Sequence, residues 1–253
     1  MEVRRLDESL QKPLWEHINR EPLNYYFFIF DLKYRPDQCK IWLAIEQNRI
    51  EGLLLVYRDF VVQLRGNREA VGLLLDKVDL EKVDLQAPLN CEDIVLSKYT
   101  SKVKEVITLM SLRKGEETIR MNAVPERLDE EDAEELSGIM KKEDPVWWGD
   151  LTTERVKANM KDAYWLGIRK DNKIASAGMT RLVDFASNIS IVFTREEYRN
   201  RGYATTVVSA LVKEIMKVSN MALIHVLSDN APAIRTYAKA GFKPYRSYLS
   251  VHT

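Results

Sequence analysis

The feature that most restricts this chain is a switching apolar period: stretches repeating about every 3.6 residues alternate with stretches repeating every two, along the whole sequence. That alternation argues for a mixed α/β or α+β fold. Leu6, Leu10, Leu14 and Ile18 stand at helical spacing. Residues 41–45 and 52–57, divided by the polar turn Glu46-Gln47-Asn48-Arg49, read as a hairpin. Residues 61–64 then suggest a strand, 68–77 a short helix, and 83–85 and 103–112 two further strands.

The same series restarts in the second half. Residues 118–121 read as a strand. Residues 128–141 read as a helix whose first turn carries Asp129, Glu130, Glu131 and Asp132, where the dipole favours acids. A helix over 152–160 has Thr152 or Thr153 as its cap. Strands are expected over 164–168, 174–183 and 189–193. Trp42-Leu43-Ala44-Ile45 followed by a turn and Ile50 recurs as Trp165-Leu166-Gly167-Ile168, a turn and Ile174, which is a weak internal repeat. A charged, Gly-containing stretch, Lys114-Gly115-Glu116-Glu117, marks the boundary, giving expected domains of 1–115 and 116–253. Trp42 and Trp165, at matching strand positions, are expected in the core.

Composition removes several classes of function. The 253 residues hold 38 Lys+Arg and 38 Asp+Glu, so there is no global field to hold nucleic acid or an anionic membrane. Apolar residues make up 45% and charged ones 30%, the balance of a folded chain. No apolar run nears the roughly 20 residues of a membrane helix. Residues 1–7 turn acidic before any apolar stretch, so no signal peptide is expected. Two cysteines, Cys39 and Cys91, and three histidines leave no disulfide framework and no Cys/His metal cluster. A cytoplasmic protein with reduced thiols, without metal, nucleic-acid or membrane partners, is the expectation.

The chemistry concentrates after residue 189. A strand ends at Phe193-Thr194, the polar loop Arg195-Glu196-Glu197-Tyr198 follows, and Arg199-Asn200-Arg201-Gly202-Tyr203-Ala204 leads into a helix with Val207, Leu211 and Ile215 on one face. A tight loop opening a helix directs several N–H groups and the positive end of a dipole at one spot, which suits phosphate. Gly202 permits positive φ and close approach, while Arg199 and Arg201 add charge. Neither G-x-x-x-x-G-K-[ST] nor G-x-G-x-x-G occurs, which removes the main support for nucleotide hydrolysis and dinucleotide binding. A buried-type strand, residues 222–227, comes next. The helix after it has Asp229 or Asn230 as cap, Pro232 in its first turn and Gly241 at its end.

At these residues the sequence resembles the GNAT superfamily of acyl-CoA-dependent N-acyltransferases. The pyrophosphate signature [Gln/Arg]-x-x-Gly-x-[Gly/Ala] is met by Arg199, Gly202 and Ala204. The later signature Asn-x-x-Ala-x-x-x-Tyr-x-x-x-Gly-Phe is met by Asn230, Ala233, Tyr237, Gly241 and Phe242. The resemblance covers about residues 117–253. It implies a mixed, mostly antiparallel sheet flanked by helices, in tandem with a degenerate N-terminal copy. It also implies acetyl-CoA, as co-substrate, lying in a gap between two splayed strands. Its pantetheine arm would run along Ile191, Val192, Phe193 and Thr194. Its pyrophosphate would meet the amides of Asn200, Arg201, Gly202, Tyr203, Ala204 and Thr205, with Arg199 alongside. Asn230 and Ala233 would contact the cofactor or serve the helix start, and Tyr237 would protonate the leaving thiolate; the competing reading of Tyr237 is an aromatic packed under Phe242.

Direct attack by an amine needs a base, and none stands out: Glu143, Asp144, Asp150, Glu196 and Glu197 border the site, and water can relay the proton. His225, between Leu223 and Leu227, reads as a core or edge histidine. In Asp144-Pro145-Val146-Trp147-Trp148-Gly149-Asp150 the paired tryptophans either line the acceptor pocket or pin the loop. If the first half is a degenerate copy it has lost its cofactor loop, since only Arg65-Gly66-Asn67 separate strand from helix, so one CoA site per chain follows; the first half would then shape the acceptor pocket or hold the sheets together, an arrangement that resembles two-domain GNAT proteins and the glycine-acyltransferase-like branch. The expected activity is N-acetyl transfer to a small-molecule amine or amino acid. The alternatives are a CoA-binding module without turnover and a protein lysine or N-terminal acetyltransferase. Oligomeric state, a homodimer included, is open.

Overall fold

The computed structural model describes residues 1–143 and 145–253. Two compact units are present: Met1–Thr108 with Leu227–Asp229 and Arg246–Thr253, and Leu109–Val226 with Asn230–Tyr245. The expected boundary at residue 115 falls in the turn after a strand, β6 (Val103–Arg113), that begins in the first unit and ends in the second.

In the first unit, β1 (Glu2–Arg5), β2 (Cys39–Glu46), β3 (Arg49–Tyr57), β4 (Val61–Gly66) and β5 (Asp84–Pro88) lie side by side in that order. All pairs are antiparallel except β4 with β5. The helices are α1 (Glu8–Ile18), α2 (Tyr26–Tyr34), α3 (Arg68–Leu75) and α4 (Glu92–Lys98). Asp7 caps α1 by accepting from the Leu10 amide at 3.2 Å, and Leu10, Leu14 and Ile18 form its buried stripe. On the face of α3 and α4, Val71, Leu74 and Val95 pack on Leu54, Val62, Leu64 and Leu85.

The second unit repeats the pattern. It contains β7 (Glu126–Arg127), α5 (Ala133–Glu143), α6 (Pro145–Trp148), α7 (Thr153–Met160), β8 (Tyr164–Lys170), β9 (Lys173–Thr180), β10 (Ser187–Thr194), α8 (Tyr203–Val218), β11 (Met221–Leu227) and α9 (Ala231–Ala240), and the chain ends in β12 (Lys243–His252). Pairs β7–β8, β8–β9 and β9–β10 are antiparallel and β10–β11 is parallel. Helices α8 and α9 cover one face, α5 and α7 the other. The fold class is thus the expected mixed one, with a mostly antiparallel sheet between helices.

Each unit is completed by a strand from the other half of the sequence. β12 runs antiparallel to β5, from Tyr248↔Pro88 to His252↔Asp84, and buries Leu249 and Val251 in the first unit's core. The second half of β6 lies next to β11, with Met110 and Leu112 in the core under α8.

The tryptophan repeat is out by one residue. Trp42 packs on the α3/α4 face, whereas Trp165 packs on the α5/α7 face and Leu166 and Ile168 take the α8/α9 face. Turn ends Glu46↔Arg49 and Lys170↔Lys173, and bulges after Ala44 and after Ile168, match residues 124 apart, whereas the tryptophans are 123 apart. Because a one-residue shift exchanges faces, Trp165 corresponds to Ile41. Trp165 is buried as expected, but Trp42 is only half-buried, beneath the Arg5 guanidinium.

Residues 118–121 are not a strand. Their amides bond outside any ladder, Thr118 to the Ala240 carbonyl at 3.0 Å and Arg120 to the Ser209 hydroxyl at 3.1 Å. Helix α2 escapes a periodicity reading because it is apolar nearly all round. Thr152, not Thr153, caps α7, accepting from the Arg155 amide at 3.2 Å.

Deleting residues 246–253 is expected to leave the β5 edge unpaired. Amides of residues 84–88 should then exchange with deuterium at least about tenfold faster while those of β9 keep their protection. Unchanged exchange in β5 would contradict the strand exchange.

Candidate functional site

Strand β10 pairs with β9 along its length, but a bulge at Ser190 shifts the register between Ile189 and Ile191. Its parallel pairing with β11 runs only from Ser187↔Ala222 to Ile189↔Ile224. Beyond that point the two strands part, and residues 191–194 present a half-buried edge that β11 does not pair. The bulge also re-aims the side chains: Val192 packs toward α8, while Ile191 and Phe193 turn toward α5 and α7. The Thr194 and Ser176 hydroxyls meet at 2.9 Å.

The edge leads directly to the start of α8. Asn200 at φ 61° and Gly202 at φ 77° curl the chain, and among the described residues no side chain caps α8. The first amide to bond backward is Thr206, to the Gly202 carbonyl at 3.0 Å. The amides of Tyr203, Ala204 and Thr205 therefore have no partner within the helix and open on the loop side, with the positive dipole end behind them.

Asn122, which the sequence did not single out, holds this loop in place. Its Nδ2 donates to the Arg201 carbonyl at 2.7 Å, its Oδ1 accepts from the Thr206 hydroxyl at 2.7 Å, and its amide donates to the same hydroxyl oxygen at 3.1 Å. A Cβ on Gly202 would lie 2.7 Å from that Nδ2, so a side chain there would displace the Asn122 amide besides straining φ. Nothing local in the sequence marks Asn122, because its partners lie about eighty residues downstream.

The two arginines also make contacts within the protein. Arg199 pairs with Glu143 at the end of α5 and donates to the Thr194 carbonyl at 3.2 Å. Arg201 donates to the Glu197 carbonyl at 3.1 Å and lies over the Tyr198 ring. Both brace the loop.

Of the later signature, Asn230 caps α9, accepting from the Ala233 amide at 3.1 Å, and Ala233 packs against the core under α8. Tyr237 is 7% exposed, with its ring edge-on to Phe242 at 6.3 Å between centroids. Burial pushes its phenol up to about 12, so it stays protonated through neutral pH. Among the acids weighed as bases, Glu143 is tied to Arg199 and Asp150 to Arg155 at 3.3 Å, while Glu196 and Glu197 are exposed on the loop. A cavity of about 230 Å³ borders Glu143, Arg195 and Glu197. Trp148 packs on the α5/α7 core. Asp144 and the Trp147 side chain lie outside the described residues.

The first unit treats the same positions differently. Asn67 follows β4 at once and caps α3, accepting from the Ala70 amide at 2.9 Å, so that helix start is already satisfied. Pairing of β4 with β5 ends at Gln63↔Gln86, and the buried Arg65 fills the place beyond. Its guanidinium donates to Gln63 at 3.1 Å, Gln86 at 2.5 Å and the Asn24 carbonyl at 3.0 Å, and it lies 4.1 Å from the Tyr248 ring centroid.

Residues 165–251 match a family model described as FR47-like protein. Solved structures extend the likeness to the whole chain. A Drosophila protein aligns over 98% of both chains with a TM-score of 0.73 at 12% identity. An acetyltransferase of the GNAT family from Colwellia psychrerythraea aligns over 100% of this chain and 99% of its own, with a TM-score of 0.55 at 16% identity. A tandem GNAT protein from the clavulanic acid biosynthesis pathway aligns over 99% and 98%, with a TM-score of 0.55 at 12% identity. No curated protein matches the chain. Among the described residues no helix is long and apolar enough to cross a membrane.

Gly202→Ala should cost about 1–3 kcal/mol in denaturant unfolding, from positive φ and the approach of Asn122; a change within about 0.3 kcal/mol would show that the loop yields freely. For Tyr237 the folded state keeps its proton while the unfolded phenol, at about 10, loses it. Stability should therefore fall as pH rises from about 10 toward 12, by up to about 2–3 kcal/mol from this group. Tyr237→Phe should flatten that fall in pH-dependent melting.

Proposed function

We propose, for a chain that has the fold of the GNAT superfamily, that its second unit binds an acyl-coenzyme A, acetyl-CoA in the leading reading, and transfers the acyl group to the primary amine of a small molecule or amino acid. What carries the reading is one juxtaposition. The parting of β10 from β11 leads onto a helix start that no side chain caps among the described residues and whose Gly202 lies at positive φ against Asn122.

The residues fit such a donor on physical grounds. The amides from Asn200 to Thr205 offer a nest for a diphosphate, where dipole and N–H groups act together. The unpaired edge at Ile191, Val192, Phe193 and Thr194 offers main-chain donors and acceptors to an extended amide-bearing arm, in the manner of an added strand. Acyl-CoA supplies the activated carbonyl. Tyr237 acts as the proton donor for the departing sulfur; a phenol held protonated by burial keeps its proton until a thiolate forms beside it. Asn230 serves the site indirectly, by fixing the start of the helix that carries Tyr237.

The first unit contributes no second donor site in this reading, because Asn67 already caps its helix and Arg65 fills its parting. A CoA-binding module without turnover remains the second reading, favoured by the burial of Tyr237 against Phe242. A protein acetyltransferase would need room for an extended peptide.

Calorimetry with CoA and acetyl-CoA should show one site per chain, weakened at least about tenfold in Gly202→Ala. With a panel of primary amines, acetyl-CoA should release free thiol, and Tyr237→Phe should lower kcat by about 10²–10⁴ with little change in CoA affinity. Binding without turnover on any amine would favour the module, and no binding would remove the proposal.

A further inference from the structure

We infer that Asn122 is a positioning residue: it sets the main chain that receives the donor's diphosphate, and so favours coenzyme A thioesters over pantetheine thioesters, which lack that group. This rests on the acyl-transfer reading above. The 2.7 Å bond from Asn122 Nδ2 to the Arg201 carbonyl does more than hold a loop in place. A trans peptide is planar and its C=O and N–H point opposite ways, so fixing the Arg201 carbonyl directs the Gly202 N–H away from Asn122.

This peptide is the one in the loop that needs such a hold. Gly202 stands at φ 77° and, without a Cβ, accepts φ of either sign, so the peptide before it turns over more easily than its neighbours. Turned over, it would present a carbonyl oxygen to the diphosphate in place of an N–H, and attraction would become repulsion.

Asn122 is itself held in one orientation. The Arg201 carbonyl can only accept, which calls for Nδ2, while the Thr206 hydroxyl donates to Oδ1 at 2.7 Å and accepts from the Asn122 amide at 3.1 Å. Thr206 is buried, and its own amide bonds to the Gly202 carbonyl at 3.0 Å, so the peptides on both sides of Gly202 are fixed from Asn122 and Thr206. One turn further along α8, the Arg120 amide bonds to the buried Ser209 hydroxyl at 3.1 Å and ties down the segment that carries Asn122. Asn122 is exposed, and hydrogen bonds in such a place contribute modestly to stability. Its effect therefore falls on the direction of the Gly202 N–H more than on unfolding.

In the unaltered protein, CoA should move the amide proton signal of Gly202 downfield, and pantetheine should not. Asn122→Leu should weaken CoA about 10–100-fold by calorimetry, the worth of a hydrogen bond to a charged group, while its melting temperature stays within about 4 °C. Thr206→Val should weaken CoA likewise, and Thr206→Ser, which keeps the hydroxyl, should hold the affinity within about threefold. In the amine assay the loss in Asn122→Leu should appear in the KM for acetyl-CoA and not in kcat, and the preference for acetyl-CoA over S-acetyl-pantetheine should fall by the same factor. CoA affinity in Asn122→Leu within about threefold of the unaltered protein overturns the inference, as does an equal loss with S-acetyl-pantetheine. A Gly202 amide that bound CoA leaves unmoved also overturns it, and that signal decides even if Asn122→Leu does not fold. Each of these results leaves the acyl-transfer reading standing, whereas absence of any CoA binding to the unaltered protein overturns both.

Discussion

Much of the second unit depends on two parallel strands failing to stay together. Parallel ladders hold only while their slanted hydrogen bonds remain in register, and the extra residue at Ser190 ends that register after Ile189↔Ile224. From there β10 keeps its other partner, β9, so it stays ordered while its free side opens. The bulge also exchanges the faces of every later side chain, sending Ile191 and Phe193 toward α5 and α7. Without it, strict alternation would turn those two apolar groups toward α8 and Val192 toward α5 and α7.

The start of α8 takes its position from the same parting. The chain leaves the open edge, turns through two residues at positive φ and enters a helix that no side chain caps among the described residues. In the first unit the corresponding turn is collapsed to Asn67, whose side chain occupies the helix start, and a buried guanidinium fills the parting. A desolvated charge of this kind is tolerated only when its donors are met, and Arg65 meets them with amide and main-chain oxygens and an aromatic face. One architecture thus supports a strand parting left open and one filled by a side chain, and a few residues decide which.

The loop before α8 is held in place by charged side chains. Arg199 and Arg201 bond to Glu143 and to main-chain carbonyls, and Arg195 pairs with Glu135 at 2.5 Å. These partly exposed pairs contribute modestly to stability, but they fix where the amides point.

What the sequence determined by itself was local. The alternating periods, the caps of α7 and α9 to within one residue, the glycine turns at 202 and 241 and the two signatures were all legible, because each depends on residues a few positions apart. Only the tertiary structure decided which face Trp42 and Trp165 take, that 118–121 serves α8 and not a ladder, that Asn122 locks the loop, and that each unit is closed by a strand from the other half. A one-residue register shift or a bulge leaves the apolar pattern almost unchanged yet reverses every side chain beyond it. Contacts made across a hundred or more residues leave no period to read.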